Sequence, residues 1–446
     1  MKAITATAIL SMAFAASATP PTVSNVTMAQ DPNSCHVTVT YKLSGDPGVV
    51  TLDIQTNYVE NAETKWASIG PANMLGFGGD VHQIVQPTVG DEVRTIHWDP
   101  ETYWPGPPKE AGAARAVVTA WATNAPPDYM IVHLVSPYDV TYYPHVEMVP
   151  GGITNIKYKG EYMPMRKIPA KGVVWWAGMP TNHANYAAES KLHRVMLTKD
   201  YYMAVYELTN AQKAAFDSGE PGSNRLPVSG YNGACYDKMR GNSLGLNWPT
   251  NDGQGNFDRE ASHAVDPTSR LGRMRTAIGL EFDLPTEHQW EYACRAGSPG
   301  TIYSETTPTV TAPTKAAINE IARQAYNCYD SYDCEGLTNK NGYATVGSYK
   351  PNAWGLYDML GNVHEVCLDW FESWETLYPD ETATYIDPVG PARGDNQYVV
   401  YRGYHMGVVA GAGKYGMTIS GRKSMARLYN NNGWFNEGVR LCVTLR

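Results

Sequence analysis

GLYDMLGNVHEVCLDWF, Gly355–Phe371, sets carboxylates, a Gly-Asn turn, a histidine and a cysteine in one short run. Such a cluster reads as a catalytic site, a metal site or a turn that folding requires. A glycine allows a sharp kink without a Cβ penalty, and Gly361 sits at the centre of this one. A lone histidine such as His364 is more often packed than ligating. Cys367 reads as a small buried hydrophobe rather than a nucleophile. The choice between the three readings therefore rests on the rest of the chain.

The chain has 446 residues, which predicts two domains. Its hydrophobic content is 43% and its charged content 18%, a globular composition. Thirty-five basic and 44 acidic residues give a net charge of −9, which argues against nucleic acid or anionic lipid as a partner. Residues 1–18 have a signal-peptide pattern: Lys2, an apolar run, then Ala16-Ser17-Ala18. No later run reaches membrane-spanning length, so the expected location is secreted, periplasmic or cell-surface. Seven cysteines leave at least one sulfur without an intrachain partner, and no Cys-x-x-Cys pair occurs. No two of the eleven histidines have i, i+4 spacing, so a zinc-peptidase helix is absent.

Residues 19–136 read as β. In CHVTVTYKL, Val37, Val39 and Tyr41 share a face with Cys35, while Thr38 and Thr40 take the other. Further short strands separated by turns predict an immunoglobulin-like β-sandwich. Residues 137–166, rich in Tyr, Pro and Gly, are expected to connect it to a second domain over 167–446. Helices in that domain announce themselves by their caps. Thr209 with Gln212 and Thr286 with Gln289 have capping-box spacing. Gly297 is expected to end the second helix, with Trp290, Ala293 and Cys294 facing the core. A third helix in TSRLGRMRTAIG presents Leu271, Met274 and Ile278 and stops at Gly279. GNSLGLNWPTNDGQGNFDRE, between them, reads as a long polar loop.

Five segments then fall in order: KIPAKGVVWWAGMP, YYMAVYELTNAQ, FDLPTEHQWEYACRAG, PNAWGLYDMLGNVHEVCLDW and VVYRG…GVRL. Together they resemble the formylglycine-generating-enzyme, or sulfatase-modifying-factor, family. The resemblance covers roughly 167–446 and implies an α+β, C-type-lectin-like fold of long loops around small antiparallel sheets. His364 and Val366 stand where many relatives carry tryptophan.

Fold does not settle activity here. Copper-dependent oxidation of a sulfatase cysteine to formylglycine, which the resemblance implies, needs two thiolates near the C-terminus, soft ligands suited to Cu(I). Between Arg402 and Tyr429 there is no cysteine, and Lys414 and Ile419 stand at the two positions. Met406, Met417 and Met425 read as packing groups rather than thioether ligands. The helical His-rich domain that precedes an iron-dependent sulfoxide synthase of this fold has no counterpart in the β first domain. The remaining expectation is binding of a protein, peptide or glycan without chemistry. Tyr404, His405, Tyr415, Tyr429, Asn431 and Trp434 would supply rigid rings beside adaptable hydrogen bonders. For Asn430-Asn431-Asn432-Gly433 a plain turn is an equal alternative. An oxidoreductase using other ligands stays open as the rival.

Calcium is the ion the resemblance implies. Asp358 and Glu365 would give carboxylates, and Gly361 and Val363 backbone carbonyls. A second site would use Asn327, Cys328, Asn341 and Tyr343, with Asn341 replacing a typical acid. Cys294 with Cys442, and Cys328 with Cys334, are candidate disulfides by the same resemblance and by proximity, respectively.

Overall fold

A computed structural model describes residues 19–104, 112–229, 239–241, 265–324, 342–391, 398–407, 417–426 and 437–445. The expected long loop after Arg240 lies almost wholly outside them, as do the leader residues 1–18. Among the described residues, no helix is long and apolar enough to cross a membrane.

The chain divides into two units, Met1–Pro126 and Pro127–Arg446. In the first, Thr22–Gln30, Val37–Ser44, Arg94–Trp98 and Gly78–Gly79 form one sheet. Gly48–Glu60 centres the other, flanked by Glu63–Ser68, Ile84–Val85 and Ala114–Ala122. The alternation read in the sequence is the observed pleat. Val37, Val39, Tyr41 and Leu43 are buried with Val50, Leu52 and Ile54 of the second sheet, while Thr38 and Thr40 are half-buried. Cys35 departs from the expectation: it precedes the strand at φ 57° and is half-buried.

The second unit is α+β. Its largest sheet has six strands, in the order Asp139–Tyr143, Tyr129–His133, Tyr162–Ile168, Tyr201–Ala204, Cys442–Thr444, Phe282–Asp283. The expectation of a connector over 137–166 is thereby corrected. Residues 139–143 form a hairpin with 129–133, and Tyr162–Ile168 pairs the same strand on its other side. The boundary lies instead at Pro126-Pro127. Tyr-rich, Pro-broken segments read as linkers because strand pairing across the sheet is invisible to a local pattern.

Two smaller sheets carry the rest. Val174–Ala177 pairs His193–Met196, which pairs Thr384–Ile386. Lys423–Ala426, Tyr398–Arg402, His364–Trp370 and Glu437–Gly438 form the other. Helix starts follow the caps: both capping boxes are closed, on helices Asn210–Ser218 and Glu287–Arg295. The third helix spans Arg270–Ile278, capped by Ser269 and stopped at a left-handed Gly279. Ala296 at φ 46°, ahead of Gly297, ends the Glu287–Arg295 helix. Trp290, Ala293 and Cys294 enter the main core with Leu356, Met359 and Leu360.

The opening stretch forms a turn and then a strand in which every residue from His364 to Trp370 is buried. Asp358, Gly361 and Asn362 all have left-handed φ, at 56°, 81° and 59°. A Cβ on Gly361 would stand 2.2 Å from the Arg323 carbonyl oxygen. Gly361→Ala is therefore expected to cost at least about 2 kcal/mol, from backbone strain and the clash together. A lowered denaturation midpoint with unchanged slope would show it.

Candidate functional site

The Glu287–Arg295 helix places Glu287, Glu291 and Arg295 one turn apart, on one face. Glu287 and Glu291 are fully buried, so each needs a partner. Arg422 donates to both Glu287 oxygens, from Nε at 2.6 Å and Nη2 at 2.9 Å. Arg402 donates to Glu291, and Arg295 reaches it from one helical turn away at 2.8 Å. Against the upward push of burial, Arg295 and Arg402 bring the Glu291 carboxyl down to about 2. Ser420 joins them, its single hydroxyl proton within reach of the Gly178 carbonyl at 2.8 Å and of Glu291 at 3.0 Å. The segment around Ile419 is thus pinned to the helix through charge.

A cleft of about 360 Å³ adjoins this network, lined by Trp175, Trp176, Tyr292, His183, Thr301 and Thr309 together with Arg295 and Ser420. Trp176 is 48% exposed, a ready stacking surface. The polar wall has a fixed proton order. Asn185 N–H donates to His183 Nδ1 at 2.9 Å, so the ring proton sits on Nε2, which donates to the Thr301 hydroxyl at 2.8 Å. Thr301 lies 2.7 Å from the Thr309 hydroxyl, which donates 3.0 Å to Glu305. Burial holds His183 below its ordinary pKa, in keeping with a neutral ring. With their protons directed toward Glu305, Thr301 and Thr309 offer the cleft acceptor lone pairs. Arg295 is already bound to Glu291, Gly178 and Ser420, so it adds little free charge.

Several expectations change here. Ile419, at one of the two thiolate positions, is fully buried in the core, and its N–H donates to the Thr301 carbonyl at 2.9 Å. Lys414 lies outside the described residues. Met417 is packed in the same core, as a gap-filling methionine should be. Tyr404, expected at a ligand surface, is 1% exposed, because its ring completes the core beside Met417 and Ile419. His405 is half-buried against His364, ring centroids 4.8 Å apart, with Nδ1 accepting from Gly407 N–H. Tyr415, Tyr429, Asn431 and Trp434 lie outside the described residues. The cleft itself escaped the sequence reading. Its signal was the aromatic pair in GVVWWAG, beside a glycine whose N–H meets Glu291.

The four residues of the first calcium set do not fit the ion together. Arg440 donates to both Glu365 oxygens, at 2.6 and 3.0 Å, and Trp290 Nε1 adds a third bond at 2.6 Å. The carboxylate expected to close a metal shell closes a buried ion pair instead. Asp358 Oδ2 accepts from Gly347 N–H at 2.6 Å, while Oδ1 is buried without a partner. Burial, with Glu365 adding to it, pushes the Asp358 carboxyl up to about 6. Of the second set, Tyr343 is half-buried, and Asn327, Cys328 and Asn341 lie outside the described residues, as does Cys334.

The expected Cys294–Cys442 bridge is also corrected: both are free, buried thiols. The Cys294 thiol lies 3.8 Å from the Met359 carbonyl oxygen. Cys442 sits between Met203 and Asp283 on a sheet strand, where Asp283, Arg275 and Arg240 are its charged neighbours.

Buried arginine–glutamate pairs, capped helices and small sheets joined by long loops define a formylglycine-generating-enzyme-like domain. The chain belongs to the sulfatase-modifying factor enzyme 1-like family, which it matches over residues 158–433. A formylglycine-generating enzyme of Thermomonospora curvata is 31% identical over 155 residues, 34% of this chain and 48% of that enzyme. One from Streptomyces coelicolor is 29% identical over 248 residues, covering 50% of this chain and 72% of its own. The chain thus spans about half the length of the first of these relatives. Among solved structures, PvdO from Pseudomonas aeruginosa aligns with a TM-score of 0.41 at 19% identity, over 63% of this chain and 94% of PvdO.

Two substitutions separate an ion pair from a calcium shell. Glu365→Gln leaves Arg440 charged in a dry core and is expected to cost about 3–5 kcal/mol. Asp358 titrates near 6 in the native state against an ordinary 3.8. Its native state therefore holds the extra proton, and its share of stability is present below the ordinary value and lost as pH rises through the native one. Asp358→Asn is expected to raise the melting temperature at pH 7 and leave it nearly unchanged at pH 4. A calcium ion on Asp358 would give the opposite sign at pH 7, and a chelator would then lower the wild-type melting temperature.

Proposed function

We propose that the C-terminal domain is a non-catalytic binding module, exported with its β-sandwich partner, whose cleft takes a protein, peptide or glycan segment. One observation carries this reading: where the family's copper chemistry needs a thiolate, Ile419 is packed in the core. The described thiols nearest that core, Cys294 and Cys367, are held protonated by burial, which suits neither nucleophile nor copper ligand. What the cleft does offer is recognition chemistry. Trp176 and Tyr292 supply stacking area at little entropy cost, and Thr301, Thr309 and Ser298 line a wall of small polar groups. Ligand pockets commonly begin near 300 Å³, and a cleft of about 360 Å³ accepts a short segment of a larger ligand.

Glycan and peptide arrays probed with the purified protein are expected to give hits whose affinity falls about tenfold in Trp176→Ala, the loss of one stacking platform. The exposed position of Trp176 leaves folding intact. Hits indifferent to that substitution would remove the cleft from the reading. The rival, an oxidoreductase like the relatives named above, predicts oxidation of a sulfatase-motif peptide on addition of Cu(I). Copper-dependent turnover would overturn the binding reading outright.

A further inference from the structure

We propose, resting on the binding reading above, that the ligand of this cleft is a neutral glycan: a hexopyranose unit seated on Trp176, with two neighbouring hydroxyls donating to Thr301 and Thr309. The hydrogen-bonding groups that the cleft leaves open select for such a ligand.

The donors of the lining are already committed. Tyr292 donates to the Pro169 carbonyl at 3.1 Å, and the Ser298 hydroxyl to that of Glu305 at 2.6 Å. Arg295 is spent on Glu291, Gly178 and Ser420. The Gly178 and Thr301 N–H groups go to the Glu291 and Glu305 carboxylates, at 2.9 and 2.6 Å. Acceptors remain open. The Thr301 oxygen takes the His183 proton and gives its own to Thr309, which gives its own to Glu305. Each of these two hydroxyl oxygens therefore keeps one lone pair, and they stand 2.7 Å apart.

A close pair of acceptors calls for a close pair of donors. Hydroxyls on adjacent carbons of a sugar ring supply one, and each turns to aim its proton. Successive N–H groups of an extended peptide point opposite ways, and each brings a carbonyl that the committed donors would leave unpaired. A carboxylate or sulfate has no proton to give at neutral pH. A cationic side chain has, but Arg295 lines the cleft and Arg194 stacks on Trp176, 5.8 Å from the ring centre, so like charge opposes it. Trp176 completes the match. Its indole is 48% exposed, and a hexopyranose gathers C–H groups on one face that pack against an aromatic ring. A cleft of about 360 Å³ takes a short run of such units from a longer chain.

The full chain would be titrated with neutral oligosaccharides of the cello-, manno-, galacto- and chito- series, beside uronate, sialylated and sulfated glycans and extended peptides. At least one neutral series should bind, with affinity falling about tenfold in Trp176→Ala. Acidic counterparts should bind at least about tenfold more weakly. Deoxy and deoxyfluoro analogues of the bound sugar then separate donors from acceptors, because fluorine cannot donate. At two adjacent ring positions both replacements should cost about tenfold, and Thr309→Val should erase one of those losses. Deoxyfluoro sugars that bind like the parent at every position overturn the proposal. So do acidic glycans preferred to neutral ones, or no neutral sugar bound at millimolar concentration. Peptides whose binding depends on Trp176 overturn the glycan and leave the binding reading standing, whereas ligands indifferent to Trp176 remove both. Should Thr309→Val fail to fold, the analogue series on the wild-type chain still decides.

Discussion

Five buried or nearly buried arginines hold this domain together, each bound to a carboxylate, and four of them also to carbonyls of chain that has left its ladder. Arg440 grips Glu365 and also donates to the Ala204, Val205 and Tyr357 carbonyls. Arg402 joins Glu291 to the Ile419 carbonyl, and Arg422 joins Glu287 to those of Glu189 and Glu372. Arg295 adds Gly178 to the same helix. Arg240, bound to Asp283 by 2.7 and 2.9 Å bonds, repeats the pairing at the edge of the six-stranded sheet. A fold rich in irregular backbone must satisfy many polar groups that no sheet serves. A guanidinium has five donors in a rigid fork, so one side chain can neutralise an acid and satisfy several carbonyls together. Removing either partner of such a pair costs far more than an exposed salt bridge would, because the survivor stays charged in the core.

This explains how the opening stretch is used. Asp358, Glu365 and Asp369 share a run of sequence but serve different neighbours. Glu365 goes to Arg440, Asp369 caps the backbone at Glu287 and Gly390, and Asp358 accepts from Gly347. The cluster is a junction where three distant segments meet. Its acids are there because the loops they fasten have unpaired N–H groups and arginines to offer. The glycine between them does the complementary work, letting Arg323 approach a backbone that any Cβ would hold away.

The legible part of the fold was local. Capping boxes, the Gly279 stop and the Val37–Tyr41 alternation each depend on residues within four positions of one another, so a linear reading finds them. The illegible part was long-range and electrostatic. Glu291 and Arg402 are 111 residues apart, Glu287 and Arg422 are 135, and no spacing rule links them. Glu365 therefore read as a free carboxylate, fit for calcium, when its charge was already matched. Tyr404 misled in the other direction. A tyrosine in a loop suggests surface, yet this ring fills space against Met417 and Ile419. The family resemblance suggested a Cys294–Cys442 bridge, but the two sulfurs have different neighbours and both thiols are free.

The same electrostatics shape what the cleft can bind. Arg295 lines it and is bound to the buried Glu291, but each has spent its charge on the other and on Arg402, Ser420 and Gly178. Had any one of these been missing, the cleft lining would present an uncompensated ion and select ligands by charge. With the set complete, this part of the lining is close to neutral. Selection passes to the other lining groups, aromatic rings and hydroxyls whose protons already point toward Glu305. A neutral ligand with its own N–H or O–H groups gains from both. A carboxylate or phosphate would lose its hydration shell, meet lone pairs at Thr301 and Thr309, and find no free cation among the described lining residues. The loop-pinning arginines thus set the charge preference of the cleft as well as the stability of the fold.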